Sequence, residues 1–216
     1  VGSDNEKFDR AVEYLRGMIR REIAAGFDPV DHIMESAVEC AADGVDAAAL
    51  EPLAREFTRE ALAEQYRAQA EWPDQTDCDR LDEAFEELES RGIVCRQNFT
   101  CCGTCGAAEI WGEMQAAETS GLPVRGYAFY HVQNTTSAVE GGGLYLHYGA
   151  TDKGEEAALA VAREIVDVLT AHGLAADWNG SWRTCVGVSL DWKRRRPLEA
   201  GFGCRKPIRG LFDECE

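Results

Sequence analysis

Four of the nine cysteines in this sequence fall within eleven residues. They lie in the run Val94-Cys95-Arg96-Gln97-Asn98-Phe99-Thr100-Cys101-Cys102-Gly103-Thr104-Cys105-Gly106. Cys102 and Cys105 form a C-x-x-C pair, a spacing that lets two sulfurs converge on one Zn²⁺ or close into a small disulfide. The segment before the cysteines reads as a strand and the segment after them as a helix. Cys101, Cys102 and Cys105 are therefore expected on a strand-to-helix turn. A helix start presents unpaired backbone N–H groups and a partial positive charge. That field favours thiolate over thiol and makes a better nucleophile and a better metal ligand. Thr104 is a residue type that caps helices, and Gly103 and Gly106 allow a tight turn.

Three chemistries compete for this turn. The first is a metal site, with zinc the expected ion, held by Cys101, Cys102 and Cys105 with His131 as the fourth ligand and Cys95 as an alternative. Neither a second C-x-x-C nor a local His-x-x-x-His completes the set, so the fourth donor must come from elsewhere. The second is a dithiol that cycles as a disulfide between Cys102 and Cys105, with Cys101 as resolving thiol. The third is packing alone, since free cysteine is among the most buried residue types. Glu109 is one helical turn from Cys105 and is a candidate proton acceptor, although a solvated carboxylate is the simpler reading. A thiol–imidazole nucleophile pairing Cys101 or Cys102 with His131 or His147 is a further option, if neighbouring strands bring them together. Cys40, Cys78, Cys185, Cys204 and Cys215 have no ligand spacing and read as structural.

The elements that must position these residues follow from periodicity. Phe8, Val12, Leu15, Ile19 and Ile23 predict a helix over 5–25. Asp28-Pro29 restarts a helix with Asp28 as cap, and Glu51 to Ala70 is a third. Asp77 or Asp79 caps a fourth, which runs to Ser90. Residues 93–99 alternate as a strand, and 105–118 form the helix after the cysteines. Gly126 to Val132 is a second strand with Tyr127, Phe129 and His131 on one face. A helical turn over 134–140, a strand over 144–148 and a helix over 152–172 capped by Asp152 and Glu155 follow. Asn179-Gly180 between Leu174–Trp178 and Ser181–Leu190 predicts a hairpin. Gly141-Gly142-Gly143 lacks the phosphate-loop pattern and leads into a strand, so no nucleotide cofactor is expected. No G-x-S-x-G elbow is present for a serine hydrolase.

Composition narrows the classes. The net charge of −17 argues against a nucleic-acid partner. The charge is uneven: residues 1–100 carry 24 acids and 11 bases, and residues 101–216 carry 15 and 11. The basic stretch from Lys193 onward is a candidate to dock on acidic helices of the N-terminal half. An acidic helical face is equally suited to a basic protein partner, which makes a non-enzymatic interaction module a further alternative. A small-molecule partner is left open. No run approaches the ~20 apolar residues of a membrane span. The opening residues show no basic stretch followed by an apolar core. Nine cysteines, an odd number, suit free or metal-bound thiols in a reducing, cytoplasmic setting better than a disulfide framework.

The fold class expected is α+β. A helical module over 1–72 precedes an α+β domain over 76–192, built on a largely antiparallel or mixed sheet of about five strands with helices on one face. A basic irregular tail over 193–216 follows. The Asn98-Phe99-Thr100-Cys101-Cys102-x-x-Cys105-Gly106 motif resembles an uncharacterised bacterial family, a domain of unknown function common in actinobacteria. The segments Gly126-Tyr127 to His131 and Gly143-Leu144-Tyr145-Leu146 share in the resemblance, which covers roughly residues 75–192. It implies no activity or cofactor. It does imply that the position of Cys95 need not be cysteine, which makes Cys95 the weakest of the proposed ligands.

Overall fold

A computed structural model describes residues 2–198 and, among them, seven helices and five strands. Two compact units account for the described residues: 2–71 together with 195–198, and 72–194.

The first unit is a three-helix packing of α1 (Gly2–Ala25), α2 (Val30–Ala41) and α3 (Ala47–Gln69). Leu15, Ile19, Ile23, Ile33, Ala37, Leu50, Phe57 and Leu62 form one buried cluster. These are the three- and four-residue stripes of the sequence, because a helix buries one face. Helix α3 starts four residues ahead of the expected Glu51, since the Asp46 side chain accepts the Ala48 N–H and caps it there. Pro29, not Asp28, occupies the cap position of α2. Of the basic stretch, Arg196 donates to the Asp28 carbonyl at 2.6 Å and the Tyr66 hydroxyl donates to the Pro197 carbonyl at 3.0 Å. Residues 199–216, the remainder of the expected tail, lie outside the described residues.

The second unit is α+β. Its elements run α4 (Asp77–Ser90), β1 (Ile93–Arg96), α5 (Gly103–Thr119), β2 (Gly126–Phe129), α6 (Val132–Val139), β3 (Leu144–Ala150), α7 (Glu155–Ala171), β4 (Ala175–Asp177) and β5 (Val186–Ser189). The sheet order is β1-β2-β3-β5-β4. Only β1 and β2 are parallel, and the remaining pairs are antiparallel. Thr76 caps α4 through a reciprocal bond with Asp79, in place of the expected Asp77 or Asp79 cap. Gly154, at φ 116°, precedes α7, so Asp152 stands outside that helix.

Side-chain alternation decides which helix covers which face. A Cβ at Gly126 would lie 2.8 Å from Val161 of α7. Tyr127, one residue on, meets Trp111 of α5 edge to face. Helices α4 and α7 therefore cover the face carrying Ile93, Cys95, Gly126 and Ala128, as the expected one-sided arrangement requires. Helix α5 departs from it by lying on the opposite face, over β1 and β2. The reason is the small size of Gly106: a Cβ there would fall 2.4 Å from the Phe129 ring, so the helix rests directly on that side of β2. No helix among the described residues is long and apolar enough to cross a membrane.

Candidate metal centre

The candidate centre grows out of the loop that joins β1 to α5. The loop is strained: Asn98 has φ 49° and Thr100 has φ 58°, both in the left-handed region that disfavours residues with a Cβ. Such residues cost about 1–3 kcal/mol each and persist where neighbours over-determine them. Here the neighbours are backbone and side-chain bonds to the segment after β2. Phe99 N–H donates to the Tyr130 carbonyl at 2.8 Å, and Val132 N–H donates to the Thr100 carbonyl at 3.1 Å. The Thr135 hydroxyl donates to Asn98 Oδ1 at 2.7 Å, and the Thr100 hydroxyl donates to the Cys102 carbonyl at 3.1 Å.

These bonds deliver the chain into α5 two residues earlier than periodicity suggests. Cys102 itself is the N-cap, with extended φ −156° and ψ 168°, and Thr104 lies inside the first turn, not at the cap. Cys105 is thereby placed in the same first turn. The sulfurs of Cys101, Cys102 and Cys105 all lie within 4.8 Å of one another. Cys101 Sγ and Cys105 Sγ are the close pair, at 3.4 Å. That is well beyond the ~2.05 Å of a disulfide, and all three are free thiols. Cys101 is exposed, while Cys102 and Cys105 are half-buried. This group of three could hold a metal ion.

The electrostatics separates the three. The Cys102 thiol is held below the ordinary cysteine range, first by the Cys105 backbone N–H, then by the Cys105 thiol and the Thr104 N–H. No bond of full capping geometry is formed by this sulfur, so the amides act through their field. Cys105 is pushed the other way, up to about 11, by its contacts with the Cys101 and Cys102 sulfurs. The turn thus favours a first thiolate at Cys102 and resists a second beside it unless a cation compensates.

Beneath the turn lie two histidines. A Cβ on Gly103 would fall 2.8 Å from His147 Cε1, 3.1 Å from His147 Nε2 and 3.6 Å from His131 Nε2. Only glycine lets the turn approach this closely. The His147 ring stacks on Phe129 with centroids 4.9 Å apart and an interplanar angle of 9°. The two imidazole rings are 5.2 Å apart. Burial favours the neutral form of both, and for His147 the nearby His131 adds to the effect. His131 is 7% exposed, and its Nδ1 has no hydrogen-bond partner among the described residues.

His131 reaches this position by a route the alternation did not indicate. Strand β2 stops at Phe129, and His131 is the N-cap of α6. The pairing with β3 ends at Phe129 and His147, after which Tyr130 N–H turns to the Arg96 carbonyl. His131 and His147 nevertheless meet beside Gly103. Neither contributes a nitrogen to the sulfur group within 4.8 Å. Cys95 is apart from the turn: it is buried on β1, and its thiol donates to the Ile93 carbonyl at 3.4 Å. Burial raises its pKa well above the usual range. Glu109 is exposed on α5 and is likewise outside the group.

Cys185 was not singled out by spacing, yet its sulfur is 3.7 Å from His147 Nδ1. The signal that could have found it is parity. Leu146 pairs with Val186, so the residues that flank them, His147 and Cys185, share the face beneath α5.

Residues 9–196 match the family described as Domain of unknown function (DUF6891). The chain belongs to the DUF6891 family. The match begins at residue 9 and so takes in the helical unit, beyond the 75–192 that the motif alone suggested. No curated protein and no solved structure matches this DUF6891 chain.

Proposed function

We propose that this chain binds Zn²⁺ through the thiolates of Cys101, Cys102 and Cys105, leaving the fourth position to water or to an exogenous ligand. One observation carries the reading: three sulfurs within 4.8 Å of one another on one strand-to-helix turn. Tetrahedral zinc with Zn–S bonds of ~2.3 Å sets its sulfurs about 3.8 Å apart. The 3.4 Å pair and the 4.8 Å limit bracket that value. Burial and hydrogen bonds fix the turn in advance, so binding does not have to order the loop. His131 was the expected fourth ligand. In this reading it lies beneath the turn as a neutral neighbour. Three thiolates outweigh the charge of the ion, so the bound water ionises less readily than the ~7 of neutral-ligand zinc sites.

The test is the metal content of protein purified without chelator, for the parent chain and for C101S, C102S and C105S. The reading expects one zinc per parent chain and a loss in each variant. Zinc-free parent protein that does not take up zinc when offered it contradicts the reading.

A second reading is supported by the 3.4 Å approach of Cys101 and Cys105. Oxidation by a peroxide would close these two sulfurs into a disulfide, with two thiol protons and two electrons passing to the peroxide to form water. The pair differs from the C-x-x-C pair expected from spacing. Peptide mapping after mild peroxide treatment distinguishes them: a Cys101–Cys105 linkage supports this reading, and unchanged thiols exclude it.

A further inference from the structure

We infer that the same three-cysteine turn is a receptor for trivalent arsenic, taken up from arsenous acid as a three-sulfur complex. The inference uses the three sulfurs of the zinc reading but does not require zinc.

Coordination number is the first argument. The group contains three sulfurs and no other donor: no imidazole nitrogen and no carboxylate oxygen among the described residues joins it. Zinc is left one ligand short by such a set. Trivalent arsenic is not, because it makes three bonds and keeps a lone pair at the remaining position. Softness is the second argument, since thiolate donors select thiophilic ions over those that prefer oxygen. Glu109, the acidic residue one turn away, is exposed and does not reach the group.

Shape is the third. The three sulfurs come from five consecutive residues, with Cys101 exposed and Cys102 and Cys105 half-buried. With one of the three residues exposed and the other two half-buried, the group is within reach of solvent and of a small ligand. The base of the group is pinned: Gly103 sits against His147 and Gly106 against the Phe129 ring. A donor set held in place pays little ordering entropy on binding. The other described thiols are elsewhere. Cys95 and Cys78 are buried, Cys40 is exposed on α2, and Cys185 faces His147.

The reaction is ligand exchange without a redox step. Three S–H and three As–O bonds break, and three As–S bonds form. The three thiol protons leave with the three hydroxides as water, and arsenic remains trivalent throughout.

The experiment uses the full chain, reduced and freed of metal, with arsenite and methylarsonous acid as probes. Arsenite engages three thiols and methylarsonous acid two. Intact mass is expected to rise by one arsenic less three hydrogens on addition of arsenite. Removing one arm of a chelate costs about 100-fold or more in affinity. C101S, C102S and C105S should each lose that much for arsenite while still binding methylarsonous acid through the two remaining thiols, with circular dichroism showing that each variant retains the parental fold. C185S should bind arsenite like the parent. The inference is overturned if the parent takes up no arsenite, if any of the three single variants keeps parental arsenite affinity, or if C185S loses it. Zinc uptake without arsenite uptake would remove this inference and leave the zinc reading. Arsenite uptake without zinc uptake would do the reverse.

Discussion

The two compact units bury their residues for different ends. In the helical unit, the buried side chains are mainly aliphatic or aromatic stripes on α1, α2 and α3, with Thr58 and Arg196 the buried polar exceptions, and ion pairs such as Arg16–Glu60 and Arg20–Glu64 are exposed. Pairs of that kind contribute little, about 0–1 kcal/mol each. In the sheet unit, glycines are pressed against rings, two non-glycine residues have positive φ, and a buried imidazole has an unpartnered nitrogen. Gly103 and Gly106, Asn98 and Thr100, and His131 bring examples of all three to one turn. Where structure is the only demand, sequence, propensity and packing agree. The turn proposed to hold the metal is where such local rules are broken together.

The contrast can be broken most forcefully in the helical core. Leu62→Ala, at a position that is 0% exposed, should destabilise the chain by about 2–5 kcal/mol. Urea unfolding reads the loss, and the zinc content of the folded fraction should not change. A zinc content that falls with Leu62→Ala would erase the distinction between the units.

Gly106→Ala comes next. Its Cβ would stand 2.4 Å from the Phe129 ring, so α5 or the ring must move, at a cost of about 1–3 kcal/mol. Here stability and zinc affinity should fall together, the second measured by competition with a chromogenic chelator. Gly17→Ala and Gly112→Ala are the matched controls, on α1 and on the outer side of α5, with nothing within 4 Å of the added Cβ. Each should stabilise by about 0.5–1 kcal/mol and leave zinc affinity unchanged. Destabilisation by Gly112→Ala would mean that the glycines of α5 are not sorted by what they touch.

The finest distinction is within the turn and depends on pH. In metal-free protein, Cys102 titrates below the ordinary cysteine value of 9.0, so its alkylation by iodoacetamide should begin at lower pH than that of an ordinary thiol. Cys105, raised to about 11, should lag until the solution is strongly alkaline. Peptide mapping across pH 6–10 reads the order. Equal rates at the two positions would contradict the asymmetry.

Much of this was legible in the sequence. The helices announced themselves through apolar spacing, and the cysteine turn through the change from strand to helix alternation. The parts that were not legible have physical causes. Asn98 is a type that tolerates positive φ without requiring it, β-branched Thr100 is a type that disfavours it, and the bonds to Tyr130, Val132 and Thr135 hold both there. The alternation of residues 126–132 continues past the point where β2 loses its partner, so His131 read as a strand residue when it is a helix cap. The fit of Gly103 over His147 and Gly106 over Phe129 depends on which face α5 occupies, a fact that periodicity does not carry. Cys185 has no local motif, and pairing alone brings it to His147.

X-ray absorption at the zinc edge of the loaded protein tests the central claim most directly. The account predicts three sulfurs at ~2.3 Å and one oxygen or nitrogen at ~2.0–2.1 Å. A shell of four sulfurs, or one with no sulfur at all, would contradict it.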